Sequence, residues 1–449
     1  MELQKNTVSQ TWDRPLVVPG KIPAQADVVV IGGGIVGICT AWFLARQGVG
    51  VVVCEKGHIA GEQSGRNWGW VRQQGRDPRE LPMIMESLRI WRSFKEQTGE
   101  DTGFVEGGCL FSASNDRELA EFAAWVELAK TAGLDTRLIT GDELAKLVPG
   151  AASHWPGAMY TASDGRAEPH KATPAFARVA TKAGAKVLTG CAVRGLDLAA
   201  GQVAGVVTEH GRIRTSTVLC AGGAWTSLFC RSLGIDLPQL KVRGTVVRTA
   251  PAPNVLDGNL FDTRLGIRRR ADGGYTIAPG AILDHPITPD SFRYFFKFLR
   301  ALTMDWHLVR LSCGRAFIDE WRTPVSWPLD QCSPFEKARV LNPEPNLAAI
   351  RCLRKDLAKV FPSLAEIEFV ESWAGMIEST PDIVPVIDAS RIPGFYIATG
   401  FSGHGFGIGP GAGKAIAAML TGTDSGIDLT PMRLARFFDG SPIRPLSSI

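Results

Sequence analysis

Four arginines, one glutamate and one histidine carry the side chains best suited to a small charged substrate. An arginine grips a carboxylate through two parallel N–H bonds in a fixed fork, which lysine cannot reproduce. Arg243 sits in Lys241-Val242-Arg243-Gly244, and Arg72 closes a loop rich in small and polar residues. Arg268 and Arg315 are further candidates. Glu378 can pair with an ammonium group. His404, within Phe401-Ser402-Gly403-His404-Gly405-Phe406, can hydrogen-bond a substrate or cofactor, or act as a base. Arg243, Arg72, His404 and Glu378 are the candidate catalytic residues, with Tyr275 and Trp373 as candidate pocket walls. Each has an ordinary alternative: an arginine in water, a glutamate paired within the protein, a histidine bonded to backbone, an aromatic ring in a core.

A second set of residues can hold a dinucleotide. Gly32-x-Gly34-x-x-Gly37 lies between an apolar run and a stretch with helical spacing, and Glu55 ends the next apolar run. The first glycine permits a tight turn, the second lets backbone approach a pyrophosphate, and the third lets helix and strand pack closely. A helix starting at Ile35 and Val36 offers N–H groups and a partial positive charge to the phosphates. Glu55, with Lys56 after it, can accept hydrogen bonds from an adenosine ribose. The segment Gly61-x-x-Ser64-x-x-Asn67-x-Gly69-x-x-Arg72 continues with small and polar residues where a plain nicotinamide domain would start its next helix.

The elements that must position these groups follow from patterning. Ala26–Gly34 and Val49–Glu55 read as buried strands flanking a helix over Ile35–Gln47. Val28 to Ala45 carries no charge, but its glycines at dinucleotide spacing favour strand and helix over a membrane span. Helices are expected over 82–97, 116–132, 170–183, 291–309, 347–361 and 411–420. Strands are expected over 186–193, 216–220 and 394–399, with a hairpin over 203–217 and short strands within 241–280. Pro15, Pro19 and Pro23 make residues 1–25 an extended arm. In 291–300, Arg293, Lys297 and Arg300 fall on one helical face and Phe292, Phe295, Phe296 and Leu299 on another. Such a helix can lie at a membrane interface; the plain alternative packs it on its sheet with its charges in water.

Composition narrows the class. The chain has 449 residues, 45% of them hydrophobic and 21% charged, which supports a large core and excludes disorder as the main state. A net charge of +4 is too slight for a nucleic-acid binder. The nine cysteines are scattered with no CxxC pair, which argues for reduced thiols in a reducing, cytoplasmic compartment and against zinc or a disulfide framework. No metal site is expected. Cys332 and Cys352 are expected as buried structural thiols.

Several stretches occur together in order: VVVIGGGIVGICTAWFLARQG, GEQSGRNWGWVR, DGRAEPHK, VLCAGGAW, and WAGMIESTPDIVPVID with IATGFSGHGFGIGPGAGKAIAAML. In these the chain resembles the D-amino-acid oxidase-like family of FAD-dependent oxidoreductases, over most of residues 26–422. The resemblance implies FAD with Ser64, Asn67, Trp68 and Gly69 beside the pyrophosphate and flavin, and Val193 at the adenine. It places Ala221 and Gly222 in the cleft with Trp225 nearby. Gly400, Ser402, Gly403, His404 and Gly405 would pass along the flavin ring, with a helix N-terminus at Gly411. Relatives with covalent flavin carry a cysteine six residues before the proline of Thr380-Pro381-Asp382. Position 375 is glycine, so the FAD is expected to be non-covalent. Two substrate-binding cations of relatives are absent: Ile377 stands near the place of an arginine that amino-acid-oxidising relatives often show, and Gly407 where a covalently flavinylated relative has lysine. That favours an amine, a cyclic amine or a differently placed acid.

The expected architecture is α/β: a Rossmann-like FAD-binding domain with an inserted α+β substrate domain on a mixed sheet. The FAD part would comprise 26–74, 166–240 and 371–425, and the substrate part 75–165 and 241–370. The expected reaction is oxidation of a C–N bond of an amino acid, cyclic imino acid or amine to an imine, with electrons passed to oxygen or a quinone. Peripheral membrane contact would run through 291–310. The competing readings are a hydroxy-acid or glycerophosphate-type dehydrogenase, with His404 as its base, and an FAD-bearing module without turnover.

Overall fold

A computed structural model describes residues 20–280 and 282–446. The arm expected over 1–25 lies, up to residue 19, outside the described residues; Gln25 makes an isolated bridge to Arg214.

The dinucleotide pattern folds as its valines and glycines require. Val28–Ile31 and Val51–Cys54 pair in parallel at the heart of a six-stranded sheet. Its order is Val386–Ala389, Phe395–Thr399, Val218–Cys220, Val28–Ile31, Val51–Cys54, Lys186–Leu188, and only the first pair is antiparallel. Alternate side chains serve opposite faces. Val28, Val30, Val51 and Val53 pack with the helices Ile35–Arg46, Pro169–Lys182 and Gly405–Thr421. Val29, Val52 and Cys54 pack beneath a three-stranded sheet running from Val193 to Arg214. Both faces are therefore apolar, which is why these strands read as unbroken hydrophobic runs.

A second, ten-stranded mixed sheet stands beside the first. Its spine is the strand Leu240–Thr249, paired antiparallel with Phe369–Ser379 along nearly its whole length. Residues 371–379, grouped with the FAD part from sequence, thus pair with 240–249, most of which the sequence reading gave to the substrate part. Gly244 pairs with Gly375, so the two strands meet there without side chains between them.

Three expectations need correction. The last long helix begins at Gly405, not Gly411. Its glycines suggest a loop because glycine is a poor helix former. Here they are sites of close approach: an added Cβ would sit 2.7 Å from the Ile35 side chain at Gly409, 2.1 Å from the Met83 carbonyl at Gly411 and 2.6 Å from Cys39 at Gly413. The helix expected over 291–309 is two helices, Pro289–Arg293 and Phe295–Asp305, broken at Tyr294, and Val309 starts a strand. Tyr294 is buried and donates from its hydroxyl to Asp236 at 2.6 Å. Cys332 and Cys352 are exposed; the buried cysteines are Cys39, Cys54, Cys109, Cys191, Cys220 and Cys230.

The basic-aromatic segment meets the plain alternative only in part: Arg293 and Arg300 are exposed, but so are Phe292, Phe295, Phe296 and Leu299. Lys297 donates to the Phe437 carbonyl at 2.6 Å and Arg300 to that of Ile443 at 3.5 Å, so cations hold the C-terminal stretch. Phe292 and Phe296 are left 68% and 85% exposed. No described helix is long and apolar enough to cross a membrane.

Candidate active site

A cavity of about 650 Å³ runs between the two sheets. Most of the residues singled out from sequence line it: Gly32, Gly34, Ile35, Val36, Glu55 and Lys56 at one end, and Ser64, Asn67, Trp68 and Arg72 on the following segment. Val193, Ala221, Gly222, Trp225 and Arg243 also line it, as do Glu378, Ser402, Gly403, His404 and Gly405. Gly37, Gly69 and Gly400 stand behind the wall. An added Cβ would come within 2.3 Å of the Gly32 carbonyl at Gly37, 2.4 Å of the Ala167 carbonyl at Gly69 and 2.3 Å of Thr380 at Gly400.

The dinucleotide end is a backbone cradle. Gly32 has φ +112°, and an added Cβ would lie 2.4 Å from the Ala221 carbonyl. The helix Ile35–Arg46 opens with no side chain from Gly34 to cap it, and Ile35 N–H donates to Ser64 Oγ at 3.0 Å. Glu55 accepts from the N–H groups of Gly33 and Gly57, both at 2.6 Å, so its carboxylate is fixed facing the cleft. Asn67 is held by the Gln63 and Ser64 carbonyls and accepts from Gly69 N–H. Trp225 donates to Glu62 at 2.9 Å, and the Lys56 ammonium sits over its ring. Ala60, Ile383 and Ser402 hold positive φ without being glycine, and all three line the cavity. Strain of this kind persists where a site demands it.

Besides Glu55, Lys56, Glu62, Arg243 and Asp284, two further groups of charge stand at the cavity. Glu378 lies in the first, beside Gly223 and Gln63. One of its carboxylate oxygens is buried without a partner, and burial pushes its pKa up to about 7. A hydroxyl-bearing ligand in the cleft would satisfy it. The second group is Arg72, Arg76, Glu80 and His404. His404 Nδ1 is 3.1 Å from Glu80 Oε2, yet burial, and then Arg76, hold the imidazole down to about 4. Arg72 bonds the Gln74 carbonyl and lies over the Phe111 ring. Arg76 is 3% exposed; its Nε donates to the Arg72 carbonyl at 3.3 Å, and its NH1 has no partner. Burial, and then the neighbouring Arg72, lower its pKa to about 9.

Arg76 was not found from sequence. Its signal was the spacing Arg72-x-x-x-Arg76 ahead of Asp77-Pro78. Arg243 reaches the cavity wall already paired with Asp284 at 2.9 Å through Nε, with the Glu344 carbonyl behind it. Arg268 is buried in an ion pair with Glu168, and Arg315 is on the surface with Asp319. Tyr275 lies in the core of the second sheet, and Trp373 donates to the Arg66 carbonyl; neither lines the cavity. A Cβ at Gly407, where the cation is missing, would meet the Trp70 carbonyl at 3.2 Å and Val71 Cα at 3.3 Å, a tight fit against the segment that carries Arg72. Among the described residues no cluster of His, Cys, Asp and Glu could hold a metal ion.

Glu378 gives a pH-dependent expectation. A carboxyl that titrates near 7 in the fold and 4.5 unfolded stabilises the fold fully below pH 4.5 and loses that contribution as pH rises through 7. The loss is on the order of 3 kcal/mol. Between pH 5 and pH 8 the FAD-free protein should therefore lose about that much more stability in urea melts than Glu378→Gln does. Parallel curves for the two would show that Glu378 is not buried as a neutral acid.

Comparison with known proteins matches this geometry. A family model described as FAD dependent oxidoreductase covers residues 27–419. The structure of L-amino acid deaminase from Proteus myxofaciens, in complex with anthranilate, superposes with a TM-score of 0.90 at 35% identity, over 94% of this chain and 95% of that one. Human mitochondrial sarcosine dehydrogenase is 28% identical over 92% of this chain but only 41% of its own length, so the chain spans about two fifths of that relative. Glycine oxidase of Geobacillus kaustophilus is 24% identical over 91% of this chain and 97% of its own. The glycine cradle, the fixed Glu55 carboxylate and the unpartnered Glu378 oxygen all suit a bound dinucleotide. The chain belongs to the FAD-dependent oxidoreductase family of D-amino acid oxidase, and its cofactor is FAD, bound without a covalent link.

Proposed function

We propose that this protein oxidises the C–N bond of an α-amino acid with an apolar side chain to an imine, which water then hydrolyses. One observation carries the reading: the unpartnered Arg76 NH1, buried in the cavity wall beside Arg72. Glu80 and Asp164 offset part of its charge, but a buried guanidinium N–H without an acceptor is costly, and a substrate carboxylate would supply one. It answers the two absent cations at Ile377 and Gly407, and so shifts the balance from a plain amine to an amino acid. Trp68, Trp70, Phe111 and Phe261 line the same cavity and offer an apolar wall to the side chain.

FAD in the cleft supplies the two-electron acceptor for hydrogen leaving the substrate carbon. The chain's own residues orient and neutralise. Arg76 and Arg72 fix the carboxylate, the aromatic wall excludes water, and Glu378 would offer its unpartnered oxygen to a hydroxyl of the cofactor. His404, held near 4, is too weak a base for alcohol oxidation at neutral pH, which disfavours the hydroxy-acid reading. The discontinuous division into an FAD part and a substrate part remains our reading of the two sheets. The electrons pass to oxygen or, as the exposed aromatic strip over 291–310 favours, to a quinone at a membrane surface. Turnover with leucine or phenylalanine should release one ammonia and one 2-oxo acid per two electrons. Electron flow with an alcohol substrate and no ammonia would overturn the reading.

A further inference from the structure

We infer that the outer end of the cavity is a binding chamber for a lipophilic quinone; this rests on the C–N oxidation proposed above. The cavity does not end at the arginines. It continues past Arg243 and Asp284 under the helices Pro289–Arg293 and Phe295–Asp305. The wall there is Ile282, Ile287, Phe298, Leu302, Leu308 and Val309. All six are half-buried, and none belongs to a packed core of the molecule. Apolar surface left facing a concave void favours an apolar ligand. The polar groups at this end are already paired: Arg243 with Asp284, and His285 between the Lys241 carbonyl and the Ser291 hydroxyl. The charged groups of an amino acid find no free partner at such a wall, whereas a quinone ring with an alkyl tail needs none.

The mouth shows where such a molecule would come from. Phe292, Phe295 and Leu311 line the cavity and are 68%, 45% and 61% exposed. Phe296, Trp306, Ile318 and Trp321 extend the apolar surface around them. Of the fifteen exposed large hydrophobic residues among those described, ten fall within 292–325. Six cations, Arg293, Lys297, Arg300, Arg310, Arg315 and Arg322, share that stretch with three acids, Asp305, Asp319 and Glu320. Apolar side chains interleaved with arginines suit the surface of an anionic bilayer, in which long-chain quinones dissolve. The balance closes: the amino acid loses two hydrogens as CH–NH2 becomes C=NH, and the quinone gains two as it becomes the quinol.

The test uses FAD-loaded protein with ubiquinone analogues bearing no side chain, one isoprenyl unit or a decyl chain. kcat/KM should rise at least tenfold from the first to the last. Leu302→Trp, which fills the chamber, should abolish that rise, and Leu302→Ala should weaken it a few-fold. Equilibrium dialysis of the decyl analogue without amino acid reads the chamber directly: the parent protein should bind it and Leu302→Trp should not. Anaerobic bleaching of the flavin by amino acid should be the same in all three proteins. Loss of bleaching in every protein counts against the C–N reading, while dialysis still decides the chamber. A kcat/KM independent of chain length, equal binding by Leu302→Trp, or slower bleaching in that variant alone would overturn the inference.

Discussion

Replacing Arg76 with methionine should raise the KM for an apolar α-amino acid by about 100-fold and weaken inhibition by simple carboxylates equally. Truncating one side of a buried, charge-assisted pair costs about 2–5 kcal/mol, and about 2.7 kcal/mol is a factor of 100. The same substitution should leave the melting temperature of the ligand-free protein unchanged or higher. Arg76 is 3% exposed, makes one hydrogen bond at 3.3 Å and has an unpartnered NH1. Replacing such a buried charge with an apolar side chain of similar size is often neutral or stabilising. Lost binding at no cost in stability is the signature of a residue kept for its ligand. A destabilised variant with unchanged KM would assign Arg76 to the fold, and the carboxylate would then need another partner. Steady-state kinetics and thermal melts on one preparation separate the two.

Gly32→Ala should yield protein without the visible flavin band. The new Cβ would lie 2.4 Å from the Ala221 carbonyl oxygen and 3.3 Å from Gly222 Cα, both backbone and both in the turn that follows the neighbouring strand Val218–Cys220. The φ of +112° adds strain for any side chain, on the order of 1–3 kcal/mol. Forcing a methyl into a packed site adds about as much again. The sheet runs on through Val28–Ile31 below this turn, so the fold should persist, measurably destabilised, with affinity for FAD down at least 100-fold. Absorbance and urea melts read the two effects separately. A variant that purifies with stoichiometric FAD would mean that the turn at Gly32 does not approach the cofactor.

The parts legible in sequence were those whose cause is local. Gly32, Gly34 and Gly37 are spaced by the turn itself, and Glu55 follows one strand later, so the cradle could be placed without knowing the rest. The pairings that sequence did not show depend on distant partners. Arg243 pointed to a substrate carboxylate, but Asp284 comes to it from 41 residues away across a strand pair. Arg268 is neutralised by Glu168, 100 residues away. The helix from Gly405 was hidden because glycine disfavours helices, whereas packing against Ile35, Met83 and Cys39 requires it. Arg76 was overlooked because a second arginine in a polar loop reads as a surface charge. Only its burial shows otherwise.

The central claim is that bound FAD accepts electrons from an amino acid. Anaerobic mixing of the purified protein with D- and L-amino acids, N-methyl amino acids, cyclic imino acids, polyamines and 2-hydroxy acids tests it most directly, read at the visible flavin band. The account expects rapid bleaching by α-amino acids with apolar side chains and none by polyamines or 2-hydroxy acids. Bleaching by 2-hydroxy acids alone, or an oxidised flavin that no member of the panel bleaches, would contradict it.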